Sequence, residues 1–167
     1  MEKTIIAIDP GTRYWGVAIF QGRDLVVPMV KTFTEKGSVQ HRSKVAKMTF
    51  LSLFDKYVPD ILVIEKPFPF WSKQSKFLNG IIEAIKDSAE NQGMKVREYS
   101  PKTARKAVCN NENAGKREAA EKICSMYSEL KGYLNQDTRG KDNYWGYMFE
   151  SMGLVVCYLK KYEKISI

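Results

Sequence analysis

Histidine is nearly missing from this chain: His41 is the only one among 167 residues. One imidazole cannot build a histidine-based zinc centre, and it leaves a Ser-His-Asp triad without support. Cysteine is scarce as well. Cys109, Cys124 and Cys157 are odd in number and lack the paired spacing of a metal site, so they read as buried, reduced thiols. No apolar run reaches membrane-spanning length, and the opening residues lack a signal peptide's charged-then-apolar layout. A cytoplasmic protein with no membrane partner is expected. Repeats and low-complexity linkers are absent too, which predicts a single domain over residues 1–167 with room for a real core.

Acid is the other shortage. Nineteen Asp and Glu face 27 Lys and Arg, a formal net charge of +8 that favours a polyanionic partner. With histidine and cysteine unavailable, a metal here would be held by carboxylates, which points to Mg²⁺ or Mn²⁺. Neither a nucleophilic side chain nor an organic cofactor can be nominated.

What is present falls into clear elements. Residues 3–9 and 14–20 read as strands joined by the turn Asp9-Pro10-Gly11-Thr12, and residues 24–34 as a third, with Pro28 marking an edge or bulge. Val45, Met48, Leu51 and Phe54 recur at helical spacing over 39–57. Residues 60–65, DILVIE, form a continuous apolar run typical of a parallel strand buried on both faces. Further helices are predicted over 72–91, 101–109, 116–130 and 143–162, with a short strand at 94–99. Ser100 and Pro101 suit a helix start, and Gly93 a helix stop. The order implies a mixed α/β sheet of three antiparallel strands extended by parallel ones, with helices on both faces.

Two of the apolar strands end in a carboxylate, IIAID at Asp9 and ILVIE at Glu65. Asp-Pro-Gly is turn chemistry in its own right, so a turn aspartate and a metal ligand are both open on the first segment alone. Ligands of open α/β sheets gather at the carboxyl ends of parallel strands. Were the first and fourth strands neighbours, Asp9 and Glu65 would lie side by side and repel unless a cation stood between them. Two unrelated strand-end charges facing solvent are the alternative. The last helix adds Asp142 at its start, as a ligand or an N-cap, and Glu150 inside YMFESMGLVVCY, where a charge is expensive without a partner. Eight residues at ~1.5 Å rise set these two acids roughly 12 Å apart along the axis, too far to grip one ion closely together. Phe149, Met152, Val156 and Leu159 read as core.

Taken together, AIDPGTRYWGVAIF, DILVIEKPF, SPKTARKAVCNNENAGKREAAEKI and ESMGLVVCYL resemble the RuvC family of Holliday-junction resolvases, in its compact bacteriophage or viral form. The likeness covers most of the chain, with the motifs in order and at family-like intervals. It implies a ribonuclease H-like fold with a five-stranded sheet and two Mg²⁺ or Mn²⁺ ions per active site. It also implies a homodimer that nicks two strands of a four-way DNA junction symmetrically. By the same resemblance Asp9 and Glu65 are metal ligands and Lys116 neutralises the scissile phosphate or the leaving charge. The family's two helix aspartates are not matched cleanly. One register puts Glu150 on the last acid and Tyr147, which cannot ligate, on the one before. The other matches Lys141-Asp142-Asn143 and leaves Gly146 at the second acid. Both Asp142 and Glu150 are therefore carried as catalytic ligands.

Directly after Glu65, KPFPFWSKQSK interleaves Phe68, Phe70 and Trp71 with Lys73 and Lys76, a composition suited to base stacking and phosphate contact. Lys102, Arg105 and Lys106 form a second basic patch. Each of these rings could equally serve the core or a dimer interface, and the patch could be a solvated face. By resemblance, the helix at 72–91 is the dimerisation element. Competing readings are a ribonuclease H-like nuclease for other branched DNA or RNA, and a catalytically weak junction-binding module. An actin-like ATPase or sugar kinase shares the strand-Asp-x-Gly-Thr turn, but needs two such domains, which 167 residues cannot supply.

Overall fold

The computed structural model describes residues 2–34, 37–67, 69, 72–136 and 144–163. Strands β1 (Thr4–Asp9), β2 (Tyr14–Gln21) and β3 (Asp24–Thr32) run as an antiparallel meander. Helix α1 (Val39–Tyr57) leads to β4 (Ile61–Glu65), and α2 (Lys73–Asn91) to β5 (Lys95–Tyr99). Strands β4 and β5 add in parallel beside β1, giving among the described residues one five-stranded sheet in the order β3-β2-β1-β4-β5. Pro28 lies on the outer strand β3, opposite Ala18, where a missing N–H is tolerated. The expected mixed sheet is the one observed.

Helices α3 (Pro101–Cys109), α4 (Lys116–Met126) and α5 (Tyr144–Tyr162) complete the chain. Alternation along β1 splits the interior into two cores. Ile5 and Ala7 face α3, α4 and α5, whereas Ile6 and Ile8 face α1 and α2. The starts of α1, α2 and α3 are capped by Ser38, Ser72 and Ser100, whose hydroxyls accept from the backbone N–H three residues on. The expected helix over 116–130 stops early. It leaves helical geometry at Tyr127 and resumes as a 3₁₀ turn over Ser128–Tyr133. Tyr127 packs edge-on against Phe20 at 5.5 Å and Leu130 is buried, so tertiary packing overrides local helix preference there. Among the described residues no helix is long and apolar enough to cross a membrane.

Candidate active site

Ile8 of β1 stands beside Ile64 of β4, so the residues that follow, Asp9 and Glu65, finish adjacent parallel strands at one level. Both share the parity of Ala7 and Val63 and therefore lie on the α5 side of the sheet. They are 7% and 5% exposed. Burial before all else holds the Asp9 carboxyl well above its ordinary range; a hydrogen bond with Glu65 and the charges of Glu65 and Glu150 push the same way, against Lys116. Glu65 is raised as well, again chiefly by burial, while its hydrogen bond with Asp9 pulls it down. Two buried carboxylates this close disfavour each other's charged form.

Glu150 comes down from α5. Arg105 Nη1 donates to both its oxygens, at 3.0 and 3.2 Å, and Lys116 Nζ stands 3.9 Å from Oε1. The Glu150 side chain is 11% exposed, that of Lys116 66%. Lys116 is the first residue of α4, whose N-cap Gly115 supplies no side-chain hydrogen bond. Asp9, Glu65, Glu150, Arg105, Lys116 and Tyr147 share an open cleft of ≈ 440 Å³. Its position is fixed by glycine. Gly16, opposite Asp9, lies directly under the backbone of Tyr147 and Met148, and a Cβ there would overlap the Tyr147 carbonyl. Gly11 has no room for a Cβ between the Tyr14 carbonyl and the Tyr147 ring. These two contacts bring the first turn of α5 against the strand ends, and Glu150 follows one turn later.

The donor set is hard oxygen, and two buried carboxylates side by side call for positive charge between them. That fits an oxygen-seeking divalent ion. Even so, no group of three acids, histidines or cysteines among the described residues is close enough to hold an ion unaided. Glu150 is turned to Arg105 instead.

Most of the other expected residues are peripheral. Lys73 and Lys76 are exposed at the start of α2, and Lys102 and Lys106 are exposed on α3, Lys106 paired with Glu112. Arg105 departs from that patch: it is partly buried and faces inward. Phe68, Phe70, Trp71 and Asp142 lie outside the described residues. Sequence reasoning missed Arg42, whose Nη2 donates to the Thr12 carbonyl at 3.3 Å while its guanidinium covers the Phe77 ring. It also missed the Tyr147 contact, for which a glycine inside a strand was the available signal.

A ribonuclease H-like sheet with an acid-lined cleft at the carboxyl ends of its parallel strands defines a nuclease-type fold. Over residues 5–132 the chain matches the family model of crossover junction endodeoxyribonuclease RuvC. The chain belongs to the RuvC family. It is 26% identical over 142 residues to the RuvC of Christiangramia forsetii, covering 81% of this chain and 73% of the relative. With the RuvC of Chlamydia muridarum it shares 27% over 150 residues, covering 86% and 84%. Among solved structures, Thermus thermophilus RuvC in complex with Holliday junction substrate superposes with a TM-score of 0.69 at 17% identity, covering 95% and 96% of the chains. The yeast mitochondrial Holliday junction resolvase Ydc2 gives 0.67 at 13% identity, covering 96% and 81%. At these identities the structural likeness speaks to the fold.

Proposed function

We propose that this protein is a metal-dependent, structure-selective DNA endonuclease that resolves four-way junctions by paired symmetric nicks. The observation that carries the reading is the buried Asp9–Glu65 pair under Glu150, with two cations at the mouth of an open cleft. Family membership and a net charge of +8 point the same way. Asp9 and Glu65 would hold divalent metal, with Glu150 as the further ligand from α5; Asp142, outside the described residues, is carried as a separate candidate ligand. Mg²⁺ or Mn²⁺ bound there supplies activation of water and charge for the leaving oxygen in phosphodiester hydrolysis.

The protein's own residues do the rest. Lys116, exposed and at an uncapped helix start, is placed to neutralise an incoming phosphate. Lys73, Lys76, Lys102 and Lys106 extend positive charge along two helices on which the DNA backbone could track, and Phe68, Phe70 and Trp71 would stack on bases at the branch. A homodimer with one cleft per subunit matches the two-fold symmetry of a junction. In this reading residues 1–167 form one nuclease domain that works in the cytoplasm.

The test is cleavage of a synthetic four-way junction, a linear duplex and an RNA–DNA hybrid, each with Mg²⁺, Mn²⁺ or EDTA. Cutting confined to the junction and abolished by EDTA is expected; equal cutting of the duplex would end the resolvase reading. Glu150→Gln should lower cleavage by about 10²-fold or more while junction binding persists, as expected when a transition-state contact is removed. Asp142→Asn in the same assay reports whether that acid ligates as well.

A further inference from the structure

The cleft contains a contact that a metal site does not need. Arg105, from α3, places one nitrogen on both oxygens of Glu150, 45 residues further along the chain. Both side chains are largely withdrawn from water, 21% and 11% exposed, so the pair is stronger than a surface ion pair. Glu150 is thereby turned to Arg105, in the same cleft that Asp9 and Glu65 line.

We propose that Arg105 is a built-in cation that occupies Glu150 in the DNA-free protein. A divalent ion then reaches the Glu150 side of the cleft only when a backbone phosphate draws Arg105 away. This rests on the proposed nuclease site and adds an order of events to it. A guanidinium donates N–H groups to phosphate and carboxylate alike, so a backbone phosphate can take Glu150's place as acceptor. Arg105 lines the same open cleft as Asp9 and Glu65, within reach of a phosphate bound there. Lys116 also pairs with Glu150, at 3.9 Å, but from a well-exposed position where solvent screens it, so Arg105 is the stronger partner. Because binding linkage is reciprocal, a second ion and DNA must then favour each other. The chain would load its full metal set on substrate and keep an incomplete one off it, which disfavours stray hydrolysis of duplex.

The test counts Mn²⁺ bound to the full-length protein by the electron paramagnetic resonance of the free ion, without DNA. Arg105→Gln should tighten the Glu150-dependent ion about tenfold, the worth of a charged hydrogen bond released from competition. Arg105→Lys, which keeps the charge on a more strongly hydrated ammonium, should fall between, and circular dichroism confirms that both fold. Unchanged or weaker Mn²⁺ binding in Arg105→Gln overturns the proposal. A second readout needs no metal. In EDTA, Glu150→Gln should raise four-way junction affinity by freeing Arg105, and this gain should disappear in the Arg105→Gln background. A gain of equal size in both backgrounds would reflect charge alone and also overturns it. Mn²⁺ binding that survives Asp9→Asn would instead remove the underlying metal site, which separates that failure from failure of the latch.

Discussion

The two faces of the sheet are packed by opposite means. Toward α1 and α2 the strands present bulk: Ile6, Ile8 and Trp15 meet Phe50 and Phe54, with Trp15, Phe33 and Phe50 forming an aromatic cluster. Toward α5 they present Ala7, Ala18 and Gly16, and the helix backbone comes down onto the sheet. Both buried carboxylates of the described residues, Asp9 and Glu65, lie on this second face. Large side chains hold the far face by apolar contact and tolerate no loss of volume. Beside the acids, small residues on the near face let a helix approach and tolerate no gain, while Ile5, Phe20 and Ile61 fill the rest of that face. One face supplies stability, the other sets distances.

The strongest way to break this contrast is to add a single methyl group to the near face. Gly16→Ala would drive a Cβ into the Tyr147 carbonyl, which is backbone and cannot rotate aside. Helix α5 must lift, taking Glu150 with it. Cleavage should fall by about 10²-fold, as a displacement near 1 Å costs elsewhere, with an overpacking cost of roughly 1–3 kcal/mol in chemical denaturation. Near-wild-type cleavage would show that the helix does not set the site. The converse change is Phe50→Ala on the far face. It should cost about 3–5 kcal/mol of stability. Measured below its lowered melting point, the surviving fold should bind Mn²⁺ as the wild type does, since Phe50 touches nothing in the cleft.

This division also decides what could be read from the sequence. The strand-end acids were legible because a carboxylate closing an apolar run is anomalous on its own strand, and the parallel pairing of β1 with β4 made them neighbours. The sheet, its edge strand and the Ser100 cap followed from local chemistry, whereas the Ser38 and Ser72 caps went unread. Arg105 was legible only as positive charge. Its partner lies 45 residues away on another helix, and no local pattern encodes that meeting. Gly16 announced a close approach without saying what approached. The break at Tyr127 was hidden for the same reason, because Phe20, which stops the helix there, belongs to a distant strand.

The last expected effect is a slope. In metal-free protein, burial first of all raises the Asp9 carboxyl, and Glu65 is raised with it. An unfolded aspartate releases its proton near pH ~4. Above that pH the folded chain therefore holds more protons than the unfolded one, and stability must fall as pH rises toward the raised folded-state value of Asp9. Urea denaturation in EDTA at steps upward from about pH 4.5 should show this decline. Asp9→Asn removes one of the two raised carboxyls and its repulsion of the other, and should flatten the decline, leaving the metal-free protein more stable at neutral pH than the wild type. Phe50→Ala should lower the whole curve and leave its slope unchanged, because the far face holds no buried carboxylate among the described residues. A slope that follows Phe50 rather than Asp9 would mean that the two faces are not separable after all.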